Sequence, residues 1–155
     1  MRRWWMLAMV LMVVSCRAPA GTGLDGAGCT EIGCYSGVTF AVSGVGLDAS
    51  GGRVVAEICV DGDCERARYR QRPDGSARWN NPRVDMSVSE DRVEVTFHLD
   101  GEDYDEATAH DVSLWLRVDG GDPISLQREV HLERSQPNGP NCPPVCWQAR
   151  IEHAA

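Results

Sequence analysis

Apolar and polar residues alternate along most of the chain from residue 38 onward. In the clearest row every second residue is apolar: Val93, Val95, Phe97 and Leu99. Such alternation is typical of a β-strand with one buried face, because successive side chains leave a strand on opposite sides. No stretch shows the spacing of an amphipathic helix. The pattern therefore predicts an all-β protein.

Six further rows with the same period cover residues 38–42, 54–60, 84–88, 112–118, 124–132 and 145–151. Turn-forming pairs such as Asp61-Gly62 and Asp119-Gly120 separate them. About seven or eight short strands joined by turns describe two sheets packed face to face. We predict an antiparallel β-sandwich, immunoglobulin-like or transthyretin-like in general form. That comparison rests on strand count and transfers no function.

The first 16 residues follow a different pattern. Arg2 and Arg3 precede an uncharged run from Trp4 to Val14. The run is too short to cross a hydrocarbon core of ~30 Å as a helix, which takes about 20 residues. A basic start followed by a short apolar segment is typical of an export signal.

The export segment ends in Val13-Val14-Ser15-Cys16. This order of two aliphatic residues, a small residue and cysteine resembles the lipobox of bacterial lipoproteins. The resemblance covers residues 1–16 and implies a diacylglyceryl group on the Cys16 sulfur, cleavage before Cys16, and acylation of the new amino group by a chain such as palmitate. Two or more chains are enough for stable anchoring to a membrane.

The chain then divides into three expected parts. Residues 1–15 form the signal peptide, residues 16–28 the lipidated cysteine and a flexible Gly- and Ala-rich tether, and residues 29–155 the β-sandwich domain. The expected location is extracytoplasmic, anchored by lipid to the cell membrane, or to an outer membrane where one exists. The alternatives are an ordinary cleaved signal with an incidental cysteine, and twin-arginine export, whose pattern Trp4 and Trp5 do not match.

The charge of the chain limits its partners. It carries 23 acidic residues against 15 cations, a formal net charge of −8, and every cation is arginine. A net negative surface repels the phosphate backbone, so we expect no nucleic-acid partner. For the same reason a basic patch is not expected to be the membrane anchor.

Six of the seven cysteines follow Cys16 and fall into three close pairs, which predicts three disulfides in an oxidising compartment. If Asp61-Gly62 is a two-residue turn, Cys59 and Cys64 lie directly opposite each other, within disulfide range. The remaining four form two further close pairs whose bonding the spacing leaves open: Cys29, Cys34, Cys142 and Cys146. They close locally, or they cross and tie the first strand to the last. Zinc binding is a third alternative, although neither spacing is that of a zinc ribbon.

Two features are candidate binding residues. Four arginines alternate with other residues and would leave one face of a strand: Arg66, Arg68, Arg70 and Arg72. Guanidinium groups bind carboxylate or phosphate in a bidentate manner, so this stripe suits an anionic ligand. The alternative is a solvated face paired with acids such as Glu57 or Glu94. Trp115 lies on the polar side of its row, where it forms part of an interface or packs under a loop.

No motif for catalysis or metal binding is present. The histidines at 98, 110, 131 and 153 are scattered, and the acids between residues 100 and 106 do not match a calcium-binding loop. We therefore expect no catalytic residue, metal or cofactor. The predicted function is a lipid-anchored, non-catalytic module that binds a protein, glycan or small ligand, or that supports an assembly of the cell envelope. The alternative is a small envelope enzyme with an unrecognised site, which a deep pocket joining His98 or His131 to acids would indicate.

The anchor is tested by changing Cys16 to Ala. We expect this variant to lose lipid labelling and to remain as an uncleaved or mislocalised precursor, because the sulfur that accepts the diacylglyceryl group is gone. Incorporation of labelled palmitate and gel mobility measure the two effects. Normal cleavage and membrane retention of the variant would contradict the lipoprotein assignment.

Overall fold

The computed structural model describes residues 32–46, 52–71, 77–78, 80–101 and 104–155. The predicted signal peptide, Cys16 and the predicted tether lie outside these residues. The described residues form ten β-strands and no helix, so none of them belongs to a helix able to cross a membrane. The all-β prediction is confirmed.

The strands form two sheets. In chain order they are β1 (Gly37–Ser43), β2 (Arg53–Val60), β3 (Asp63–Gln71), β4 (Ala77–Arg78), β5 (Val84–Val88), β6 (Arg92–His98), β7 (Ala109–Val118), β8 (Ile124–His131), β9 (Glu133–Ser135) and β10 (Cys146–Ala154). Sheet A has the order β5-β6-β1-β10-β9, and sheet B has the order β4-β3-β2-β7-β8.

The inward side chains of the two sheets form one core. Phe40 and Phe97 of sheet A and Ile58, Leu114 and Leu116 of sheet B are at most 1% exposed. Each such side chain contributes about 1.5–3 kcal/mol through removal of apolar surface from water. These residues are members of the period-two rows, so the rows correctly identify the inward face of β1, β2, β6 and β7. The last row is less accurate, since its first member, Val145, is 39% exposed.

Two features of the architecture differ from the prediction. β1 and β10 pair in parallel, from Gly37 opposite Gln148 to Ser43 opposite Ala154, whereas the other strand pairs are antiparallel. Alternation reports which face is buried and carries no information on strand direction. β4 and β9 were not predicted, because two or three residues are too few to show a period.

The β2–β3 hairpin carries the predicted disulfide between Cys59 and Cys64. Asp61 (φ 50°) and Gly62 (φ 84°) both adopt the left-handed conformation that a two-residue hairpin turn requires. Val60 and Asp63 close the turn, and Cys59 pairs with Cys64 at a Cα–Cα distance of 4.0 Å. The turn residues therefore determine the register that brings the two sulfurs together.

A second disulfide joins Cys34 to Cys146 across 112 residues, with a Cα–Cα distance of 6.1 Å. The crossed alternative is therefore correct for this pair, and its oxidation removes these two thiols as zinc ligands. Cys142 is also disulfide-bonded, while Cys29 lies outside the described residues.

Near the crossed disulfide, Asn138 accepts a hydrogen bond from Ile32 N (2.9 Å) and donates one to Ile32 O (3.0 Å). The segment before β1 is thus held against the start of β10.

The two disulfides should differ in their effect on stability. Because Cys142 is disulfide-bonded as well, the long loop opens only when Cys34, Cys142 and Cys146 are all replaced by Ala. This variant should lower the free energy of unfolding by about 4–5 kcal/mol, whereas the six-residue hairpin loop predicts about 2 kcal/mol. The paired variant Cys59→Ala/Cys64→Ala is the control, and urea unfolding of both measures the difference. A larger loss in the hairpin variant would contradict this account.

Candidate functional site

Five arginines leave the outward face of sheet B, and we call this surface the arginine face: Arg53, Arg66, Arg68, Arg70 and Arg117. On β3 the inward positions belong to Ala67 and Tyr69, which are 0% and 7% exposed. Burial of these two residues places the alternate arginines in solvent. The predicted stripe on one face is therefore present for residues 66, 68 and 70, and Arg72 lies outside the described residues.

Strand register adds two arginines that the sequence stripe did not include. Arg53 of β2 lies directly opposite Arg70. Arg117 of β7 lies opposite Val55, whose other neighbour is Arg68. The face extends ~13 Å along β3 and ~10 Å across to β7, by the usual spacing within and between strands.

None of these five arginines forms an ion pair with a described residue; the ion pairs of the described chain involve other cations. Glu57 is opposite Arg66 in register, yet the two make no salt bridge. The suggestion that Glu94 neutralises the stripe is wrong, because Glu94 belongs to β6 in the other sheet. Arg53 and Arg70 instead face each other as like charges, an arrangement that is unfavourable in a sheet.

Trp115 lies within the arginine face. The guanidinium carbon of Arg66 is 5.8 Å from the centre of the Trp115 ring, and that of Arg117 is 5.4 Å from it. Both are within the range of a cation–π contact, which orders a guanidinium group without neutralising its charge. Trp115 is half-buried on the outward face of sheet B, and its ring contacts two cations there, so it is not a bare apolar patch.

An open groove of about 370 Å³ runs beside Trp115 across β2, β7 and β8. Its polar lining includes Glu57, Ser113, Ser125 and Gln127. The side chains of the two serines and of Gln127 make no hydrogen bond to a described residue. They consequently offer free neutral donors and acceptors next to the arginines.

The outward face of sheet A has the opposite electrostatic character. Arg92 binds Glu94 at 2.9 Å and Glu152 at 2.9 Å, and Arg150 binds Glu152 at 2.7 Å and also contacts Glu94. The hydrogen bond from Arg150 lowers the pKa of Glu94, against the opposing effect of burial. The same donor lowers the pKa of Glu152. The arginines of this face are neutralised by acids, whereas those of the arginine face form no ion pair with a described residue.

The histidines lie at separate places in the fold. His98 pairs with Asp85 at 2.9 Å on sheet A, whereas His131 is exposed on β8. The sequence did not single out His110, which is 7% exposed and whose Nδ1 lies 2.7 Å from Asp61 Oδ2. His110 lines a cavity of about 170 Å³ whose described lining contains no serine or cysteine.

Within the described ranges, no group of three or more His, Cys, Asp or Glu side chains could hold a metal ion. A scan against protein-family models, a search of characterised proteins and a search of solved structures each give no match. The arginine face and its groove are therefore the surface from which a function can be inferred.

The ion pairs of sheet A predict how the free energy of unfolding falls at acid pH. Because Glu94 and Glu152 have pKa values below the ordinary 4.5 when folded, they stabilise the fold above that pH. This contribution is lost as the pH falls through the lower folded values. The Arg150→Gln variant should therefore lose less stability on acidification than the parent.

Urea unfolding at neutral pH and at about pH 3.5 measures this loss of stability on acidification. Arg134→Gln is the matched control, since Arg134 is exposed on β9 and forms no ion pair with a described residue. An equal loss of stability between the two pH values in the parent and in Arg150→Gln would contradict a stabilising role of the Arg150 ion pairs.

Proposed function

We propose that this protein is a lipid-anchored extracytoplasmic module that binds an anionic partner through the arginine face and performs no catalysis. The observation that carries the proposal is the contrast between the two outward faces. Arg92 and Arg150 on sheet A are neutralised by acids, whereas the arginine face keeps its charge in a chain of formal net charge −8. With 23 acids in the chain, unpaired arginines at one surface favour an external anion as their partner.

The anchor is supported by the lipobox-like end of the leader at Cys16. The disulfides Cys34–Cys146 and Cys59–Cys64 are typical of an oxidising compartment outside the cytoplasm. A tether over residues 17–28 reaches ~40 Å when extended, at about 3.4 Å per residue. That reach lets a membrane-anchored domain contact partners beyond the lipid surface.

The enzyme alternative rests on one observation. With Asp61 at its Nδ1, His110 has a buried Nε2 that is without a partner among the described residues. In the neutral tautomer that donates to Asp61, Nε2 is a proton acceptor, as in a general base. The binding proposal is favoured because the cavity of His110 offers no serine or cysteine nucleophile in its described lining.

Binding of anions is tested with the full chain in detergent on a cation-exchange matrix at neutral pH. A protein of net charge −8 should not be retained by its overall charge, so retention requires a local positive surface. We expect retention in low salt and release as salt rises, because exposed charges are screened beyond ~8–10 Å near physiological ionic strength. The triple variant Arg66→Gln/Arg68→Gln/Arg70→Gln should lose retention.

The control is Arg92→Gln/Arg134→Gln/Arg150→Gln, which removes the same formal charge from sheet A. Equal loss in both variants, or no retention of the parent, would refute the arginine face as the anion site. Substrate turnover that disappears in His110→Gln would support the enzyme alternative instead.

A further inference from the structure

The groove and the arginine face are one continuous surface. Trp115 and Glu57 line the groove, and Glu57 lies between its two register partners, Arg66 on β3 and Trp115 on β7. On the far side, Ser125 lies opposite Trp115, and Gln127 lies opposite Ser113. Cationic donors at one side of Trp115 thus adjoin neutral hydroxyl and amide groups at the other.

Trp115 acts as a positioning residue for two of the cations. Its ring contacts both Arg66 and Arg117, which come from strands on either side of β2. A guanidinium group stacked on a ring keeps its N–H donors in the plane, free for a carboxylate or phosphate. An acid group placed beside Trp115 therefore meets donors from two directions.

Trp115 and the arginines belong to the residue types that are enriched in protein interfaces, so a protein is the main rival occupant. The energetic centre of such an interface is a well-packed, desolvated pocket, and this face offers few apolar side chains to build one. Among the described residues the large exposed apolar side chains are Ile32, Tyr35 and Val145, and none belongs to sheet B. Val55, the apolar residue within the arginine face, is only 5% exposed.

A lipid surface fits no better. A flat anionic membrane can contact the arginines, but it leaves the hydroxyl and amide groups of the groove without a role. The net charge of −8 also opposes approach to anionic lipid. A ligand that carries acid groups and hydroxyl groups side by side fits both the arginines and the neutral polar groups of the groove.

We infer that the ligand is an acidic glycan, and this inference rests on the proposed function. A sugar unit lies in the groove, where its hydroxyl groups bond to Ser113, Ser125 and Gln127. Its acid group binds the guanidinium groups of Arg66 and Arg117. The ~13 Å by ~10 Å extent of the arginines, from strand spacing, suits successive acid groups of one polymer better than a single small anion.

The test is calorimetric titration of the full chain in detergent with oligomers of polygalacturonate. We expect binding of this acidic glycan, none of neutral dextran of matched length, and binding of polyglutamate at least tenfold weaker. After removal of detergent, the parent should sediment with phosphatidylglycerol vesicles no more than the triple variant Arg66→Gln/Arg68→Gln/Arg70→Gln, because the lipid anchor contributes equally to both. Equal or stronger binding of polyglutamate, or sedimentation of the parent above that of the triple variant, would overturn the glycan assignment in favour of a protein or a membrane.

Variants of the groove, of Arg66 and of Trp115 separate the three parts of the site. Ser125→Ala/Gln127→Ala should weaken glycan binding roughly tenfold through loss of hydrogen bonds and leave retention on the cation exchanger unchanged. Arg66→Lys keeps the charge but loses the planar fork, so glycan affinity should fall while Arg134→Lys has no effect. Trp115→Leu should weaken binding more than Trp115→Phe, which retains a ring for the cations.

The outcomes distinguish the two proposals. If the parent is retained on the exchanger but does not bind polygalacturonate, the anion-binding function stands and the glycan inference is refuted. If retention also fails, both are refuted. Full glycan binding by Ser125→Ala/Gln127→Ala would remove the groove from the site and overturn the inference.

Discussion

Packing of sheet A against sheet B buries every second side chain of the central strands, and this burial determines where charged residues can lie. On β3 the apolar contacts of Ala67 and Tyr69 hold the strand in one orientation. A slip of one residue would bury arginines and expose the core. The cost of burying an unpaired guanidinium group far exceeds the repulsion between neighbouring arginines on a solvated face. The core therefore maintains the arginine face, although the face itself contributes no ion pair among the described residues.

The two outward faces show how little stability depends on neutralising surface charge. Exposed ion pairs contribute about 0–1 kcal/mol each, so the network of Arg92, Glu94, Arg150 and Glu152 is a modest addition to the core. A face that lacks such ion pairs therefore gives up little of the free energy of unfolding. Arg53 and Arg70 can thus stand opposite each other while the domain stays folded. This tolerance allows a small acidic domain to keep a local positive surface for a ligand.

The sequence predicts the strands well because burial of one face leaves a period that is readable in one dimension. The hairpin disulfide was also predictable, since the Asp61-Gly62 turn determines its own register. Contacts between distant segments were not predictable in this way. Arg53 and Arg117 join the stripe only through the pairing of β2 with β3 and β7. The contact of His110 with Asp61 depends on a loop meeting a strand across 49 residues, and the parallel pairing of β1 with β10 leaves no trace in alternation.

The crossed disulfide connects the fold to the proposed anchor. Any pull from a lipidated Cys16 enters the described domain at Ile32 and reaches Cys34 before it reaches β1. Cys34 is bonded to Cys146 at the start of β10, so the force passes through a covalent bond into the centre of sheet A. Without that bond and the disulfide of Cys142, the force would act on the hydrogen bonds of Ile32 with Asn138 and then on the start of β1, which is a local, low-cost opening. The crossed disulfide thus protects sheet A at the end of the domain that leads toward the proposed anchor.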